Sequence, residues 1–174
     1  VRVLKAAKEK DQALVTVCSA CHNVVKQTNY AMQNDKAFAD KVNLYMNEGE
    51  YDGSTEVYHY LEMLRDVVGY DNLKEKVVNP LKGKRIAAYY GCLLLRPNSV
   101  MRMDDPENPS IIEDLIRAIG AEPVVYGFRN ECCGGYVRME STELAEKKSS
   151  TVIKSAKNAG AEIIVTACPL CKYN

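Results

Sequence analysis

Apolar residues recur along this chain with two different rhythms, and the change comes near residue 84. Between Asp35 and Asn47, Phe38, Val42, Tyr45 and Met46 fall three or four apart. Between Thr55 and Val68, Val57, Leu61, Leu64 and Val68 do the same, after a Gly-Ser-Thr start. Both stretches are predicted amphipathic helices, joined by a loop at Gly49-Glu50-Tyr51-Asp52-Gly53. The turn-like run Asn79-Pro80-Leu81-Lys82-Gly83-Lys84 marks the boundary. Beyond it short apolar runs alternate with helical patterns. Strands are predicted at 85–90, 123–126 and 162–166. Helices are predicted at 110–119, stopped by Gly120, and at 141–159, ending at Gly160; 96–109 reads as a long polar loop. Alternation of this kind implies right-handed crossovers and an α/β fold, a parallel sheet flanked by helices.

The chain also repeats itself. Val3-Leu4-Lys5-Ala6-Ala7-Lys8 matches Val152-Ile153-Lys154-Ser155-Ala156-Lys157, an offset of 149. Val15-Thr16-Val17-Cys18-Ser19-Ala20-Cys21 matches Val165-Thr166-Ala167-Cys168-Pro169-Leu170-Cys171, an offset of 150. One single-residue indel aligns both matches, so a helix, a strand and a Cys-x-x-Cys occur twice. The second copy has Cys92 and Cys132-Cys133 upstream of it, and the first has no counterpart. Since the chain opens on Val1 inside a helical pattern, the expected organisation is the tail of a truncated first unit at 1–30, a helical connector at 31–83, and a complete unit at 84–174.

Composition narrows the function classes. The 174 residues suffice for one α/β domain, or a domain with an extended arm. A 47% hydrophobic share argues against a disordered chain, and 23 basic residues balance 23 acidic ones. Without a basic surplus a nucleic-acid role is not expected. No apolar run approaches the ~20 residues of a membrane span, and no basic-then-apolar leader opens the sequence, so a cytoplasmic location is the expectation.

The seven cysteines, at 18, 21, 92, 132, 133, 168 and 171, carry the chemistry. Their number is odd, and two Cys-x-x-Cys pairs plus an adjacent pair resemble ligand spacing more than disulfide stapling. Cys18, Cys92 and Cys168 follow predicted strand ends, and sites in parallel sheets form beyond the carboxyl ends of strands. Cys92, Cys132, Cys133, Cys168 and Cys171 can therefore converge on one edge. A closed zinc site needs four thiolates or imidazoles, whereas a multi-iron cluster accommodates five. Adjacent cysteines share one site only from irregular backbone, which Gly134 and Gly135 allow, while also letting backbone approach an inorganic core. Free N–H groups at a helical turn opened by Cys168 and Pro169 would favour its thiolate.

Plainer readings stand beside these. Any one cysteine is at home as a small buried hydrophobe, and a lone Cys-x-x-Cys suits a metal-free dithiol oxidoreductase. Cys18-Ser19-Ala20-Cys21-His22 fits a c-type haem attachment pattern, but the repeat puts Lys172 where His22 stands. His22 and His59 are expected as surface or satisfied polar groups. Asp104-Asp105-Pro106-Glu107 could bind calcium, although a solvated loop beside a helix start explains it more cheaply. The tyrosines crowded at 45, 51, 58, 60 and 70 are expected in core and interface area.

Tyr90-Gly91-Cys92 with Arg96-Pro97, then Cys132-Cys133-Gly134-Gly135, then Ala167-Cys168-Pro169-Leu170-Cys171, resembles the cysteine-rich "CCG" domain. More narrowly, the chain is similar to the B-type subunit of heterodisulfide reductase, an enzyme that splits the mixed disulfide of coenzymes M and B. The spacings fit, with 39 residues between Cys92 and Cys132 and 34 between Cys133 and Cys168. That family carries two such domains in tandem, so the resemblance implies the second of a pair. It implies a non-cubane [4Fe-4S] cluster on Cys92, Cys132, Cys133, Cys168 and Cys171, with Cys18 and Cys21 an incomplete first site, metal-free or holding a different metal. It further implies one-electron steps on a disulfide, with electrons arriving from a flavin subunit through a small iron–sulfur subunit. By the same argument the isolated fragment is expected to be inactive, and its cluster lost in air or replaced by zinc. Lys172 departs from the family's polar preference there. The competing expectation is a structural zinc or cluster module for subunit assembly.

Overall fold

A computed structural model describes residues 1–47 and 49–174. Helix α1 (Arg2–Glu9) leads into β1 (Leu14–Thr16), then α2 (Ser19–Asn34) and α3 (Lys36–Leu44). β2 (Val57–His59) pairs with β1 in parallel, Leu14 opposite Val57 and Thr16 opposite His59. The predicted helix at 55–68 is thus corrected at its front: Val57, Tyr58 and His59 are strand, and helix begins only at α4 (Tyr60–Glu62), running into a π-helical turn at Met63–Val68. β-branched Val57 and Tyr58 find a partner strand in β1, and tertiary pairing overrides the helical spacing. Short α5 (Tyr70–Glu75) completes this part.

The second part follows the predicted alternation. β3 (Arg85–Tyr89), α6 (Asn98–Met101), α7 (Ile111–Ala118), β4 (Glu122–Val124), a 3-10 turn (Val137–Met139), α8 (Thr142–Asn158), β5 (Ile163–Thr166) and α9 (Pro169–Tyr173) appear in order. Short α6, a helical turn inside the stretch expected as polar loop, and the 3-10 turn are additions. β3 is central in an all-parallel sheet of order β4-β3-β5. Alternate residues of β3 face opposite cores. Ile86, Ala88 and Tyr90 pack with Ile111, Ile112 and Ile116 of α7, while Ala87 and Tyr89 pack with Val152 and Ala156 of α8. β5 lies at the edge of this sheet, and Ile163, Ile164 and Val165 remain partly exposed.

The two matching segments form the same elements in the same order: α1, β1 and Cys18 in one, α8, β5 and Cys168 in the other. A third core joins Leu4, Met32 and Tyr51 with Leu14 and Val57. Of the crowded tyrosines, Tyr51 is core, Tyr70 donates to the Ile111 carbonyl, and Tyr45 lies 72% exposed. Leu61 inserts into the α7 core, so the two parts share buried surface. Among the described residues, no helix is long and apolar enough to cross a membrane.

Candidate metal–sulfur centre

The carboxyl ends of β3 and β5 open onto one small cavity, and all five cysteines of the second unit line it. Cys92 sits three residues beyond β3, Cys132 and Cys133 on the irregular loop after β4, and Cys168 and Cys171 on the first turn of α9. Ser19, Tyr90, Leu93, Gly135, Tyr136 and Leu170 complete the wall. All seven cysteines are free thiols, and neither Cys18 nor Cys21 lines the cavity. Among the described residues, no three Cys, His, Asp or Glu groups are set to hold a single metal ion.

Backbone amides are spent on the sulfurs. Gly134 N–H donates to Cys132 Sγ at 3.4 Å and Gly135 N–H to Cys133 Sγ at 3.3 Å. The two glycines differ in a second respect. Gly135 lines the cavity, whereas a side chain on Gly134 (φ +87°) would strike α8 at Ala145, 3.1 Å away. Gly91, to which spacing and motif assign no role of its own, is the closest approach: a Cβ there would lie 3.2 Å from Cys171 Sγ.

The thiols divide accordingly. A hydrogen bond from Cys171, then the Gly135 amide, bring Cys133 down to about 6. Cys168 is also drawn down to about 6, by Cys171 and then by the Cys171, Leu170 and Ala20 amides. Cys171, giving hydrogen bonds to both, is pushed up. Burial, then Cys132, raises Cys92 to about 12. Beneath them Tyr89 donates to the Glu131 carbonyl at 2.8 Å, and burial followed by the surrounding cysteines pushes its phenol up. The donor set fits a thiolate-held inorganic core: soft ligands around a volume, oriented amides, and backbone left bare where sulfur comes close.

The loops bearing these cysteines are stitched together. Arg96 donates to the carbonyls of Asn130 and Pro106, and Asn130 Nδ2 returns to Pro106. Behind the cavity Tyr90 donates to buried Glu113, which also faces Arg129 at 3.2 Å. Asp104, the calcium candidate, instead accepts the N–H groups of Ser110 and Ile111 at 2.6 and 2.7 Å, capping α7.

The first Cys-x-x-Cys rests against the second. Ser19 donates to the Ala167 carbonyl through both N–H (2.9 Å) and Oγ (3.0 Å). The Cys21 thiol is raised mainly by Cys18, with Cys168 close enough to add to it. His22 and His59, expected at the surface or satisfied, are instead buried at 0% and 1% exposure, each with Nε2 unpartnered. Their rings meet edge to face at 5.3 Å, because α2 packs its first turn directly on β2. His22 Nδ1 pairs with Thr16 at 2.9 Å; Glu62 accepts the His59 N–H at 2.7 Å and Lys26 at 3.1 Å. In the second copy the counterpart Thr166 hydroxyl has no partner, since Lys172 replaces the imidazole.

Burial, then Lys26, holds both imidazoles neutral, with His22 lowered to about 3 and His59 to about 4. Unfolded histidine titrates near ~6.5, so in that window the unfolded chain binds more protons. Stability is then full above that value and falls as the pH drops toward 4. From His59 alone the loss is ~3 kcal/mol. Denaturant midpoints of the metal-free chain from pH 7 to about 4 check this, and a flat profile would refute it.

The family model "Cysteine-rich domain" (CCG) matches residues 86–174. The chain is 32% identical over 173 residues to the 8-methylmenaquinol:fumarate reductase membrane anchor subunit of Wolinella succinogenes, covering 98% of this chain and 60% of that protein. It is 34% identical over 177 residues to the B-type subunit of ferredoxin:CoB-CoM heterodisulfide reductase of Methanosarcina mazei, covering 97% and 57%. To a protein of Archaeoglobus profundus described as like the heterodisulfide reductase B-type subunit, the identity is 31%, covering 98% and 59%. The chain thus spans little more than half the length of these relatives.

Proposed function

Because the chain belongs to the cysteine-rich domain (CCG) family, we propose that it is an iron–sulfur subunit of a disulfide-reducing complex. The carrying observation is that five cysteines from three separate segments line one cavity with amides aimed at their sulfurs. Cys92, Cys132, Cys133, Cys168 and Cys171 would hold a non-cubane [4Fe-4S] cluster. When bound, such a group supplies single electrons and an iron open to a substrate sulfur.

The protein's own contribution is electrostatic and steric. The amides of Gly134, Gly135, Leu170 and Ala20 stabilise sulfur-borne negative charge without reorganising. Leu170 and Tyr136, 42% and 64% exposed, line the cavity and would offer apolar surface to a disulfide. Overall RSSR takes up two electrons and two protons and leaves as two thiols, the type substrate being CoM-S-S-CoB. The electrons would come from a flavin subunit through a small iron–sulfur subunit, in a cytoplasmic complex. Residues 1–30 would be the tail of a first domain whose own site Cys18 and Cys21 close, 31–83 a connector, and 84–174 a complete second domain.

Iron, zinc and acid-labile sulfide per chain after anaerobic reconstitution test this, with an oxidised-state EPR spectrum. About four irons and four sulfides are expected, falling to near zero in Cys133→Ser. One zinc without sulfide would move the protein to an assembly module. Thiol-dependent reduction without iron would make the Cys133–Cys171–Cys168 set a dithiol centre, a reading that the hydrogen-bonded, readily ionised Cys133 and Cys168 sulfurs also support.

A further inference from the structure

Two residues of α2 reach out of the first unit into the cysteine-bearing segments of the second. Asn23 Nδ2 donates to the carbonyls of Leu93 and Arg96, each at 2.7 Å. Arg96 N–H itself donates to the Cys92 carbonyl at 3.2 Å, so Asn23 closes the turn that starts at Cys92. Ser19 makes both of its bonds to Ala167, the residue before Cys168. Spaced i and i+4, the two share one helix face. They are 1% and 4% exposed, and Gln27 Nε2 donates to the Asn23 carbonyl oxygen, fixing which way the amide points.

Burial alone does not account for this targeting. A buried Ser and Asn need hydrogen-bond partners, yet all three carbonyl acceptors lie within four residues of a cavity cysteine; the remaining acceptor, Met101 Sδ, is the more distant at 3.5 Å. We infer that Ser19 and Asn23 are positioning residues for the second unit's cavity, Asn23 setting Cys92 and Ser19 setting Cys168. The device runs in one direction. The repeat counterparts of Ser19 and Asn23 are Pro169, which has no N–H, and Tyr173, which is 83% exposed. The inference rests on the proposed ligand role of Cys92 and Cys168, but its test does not need the cluster.

The metal-free, fully reduced chain is labelled with iodoacetamide, and each cysteine is followed separately by mass spectrometry. Asn23→Leu keeps the volume and removes both donors. Cys92 is then expected to label about tenfold faster, because orphaned carbonyls favour local opening of its turn. Cys18 and Cys21 should stay within about twofold of the parent. Ser19→Ala, which leaves the backbone bond to Ala167, should accelerate Cys168 about threefold. After reconstitution both variants should show a shifted cluster EPR signal. An unchanged Cys92 rate, or equal acceleration of all seven cysteines, overturns the inference. Should Asn23→Leu fail to fold, Ser19→Ala decides it through the Cys168 rate. If the parent assembles no cluster, the proposed function fails while the labelling result still decides positioning.

Discussion

Replacing Glu62 by alanine is expected to destabilise the metal-free chain by ~3–5 kcal/mol, a loss on the scale of a broken buried ion pair. Glu62 is 6% exposed and serves two groups at once, the His59 backbone N–H and Lys26. Removing it leaves a half-buried ammonium and a buried N–H without their acceptor. Such a loss costs far more than the net worth of the bonds removed. Glu62→Gln retains an amide oxygen for His59 and gives up the charge, so ~1–2 kcal/mol is expected. Urea unfolding of the three proteins gives the ranking; an alanine variant within ~1 kcal/mol of the parent would show that solvent reaches Lys26 and repairs the defect.

Gly91→Ala is expected to abolish cluster loading while the chain still folds. Gly91 has φ +63°, a left-handed conformation that costs an L-residue ~1–3 kcal/mol when the surroundings enforce it. The added methyl would also stand 3.2 Å from Cys171 Sγ, and the ring of Tyr89 at 3.9 Å closes the other side. Cys171 is the thiol that gives way, and it is hydrogen-bonded to both Cys133 and Cys168. Iron per chain after reconstitution should fall below about one, with circular dichroism unchanged. Full iron content in a folded Gly91→Ala protein would mean that Cys171 is not needed as a ligand. Gly83→Ala, with open space around its Cβ position, serves as the backbone control.

Periodicity revealed the second unit well because its helices and strands each bury one face. Ile111, Ile112 and Ile116 on α7, and Ile86 with Ala88 on β3, are the residues that the 3.6- and 2-residue patterns pick out. β2 escaped because it spans only three residues, and Val57 belongs equally to a helical spacing with Leu61 and Leu64. The cysteine set was legible as types and spacings, and strand placement pointed it to one edge. What the sequence could not carry was the polar context. His22 and His59 lie 37 positions apart, and nothing local marks them as a buried pair. Ser19 and Asn23 look like ordinary helix-surface residues until Ala167, Leu93 and Arg96 arrive from far along the chain. Gly91 was visible, but its constraint comes from a sulfur 80 positions away.

The bonds from α2 have a consequence in time. Ser19 waits for a partner 148 residues downstream, and Asn23 for partners 70 and 73 residues away. Contacts so remote form late, after the entropy of closing long loops has been met. A ribosome supplies only ~5–20 residues per second, so Cys18 and Cys21 emerge many seconds before the segment against which they rest. During that interval the bonds from Ser19 to Ala167 and from Asn23 to Leu93 and Arg96 are unmade, and α2 lacks the surface of the second unit. Loading of the proposed cluster into the five-cysteine cavity would therefore follow the synthesis of Cys171, once α2 has closed on the turn at Cys92 and on Ala167.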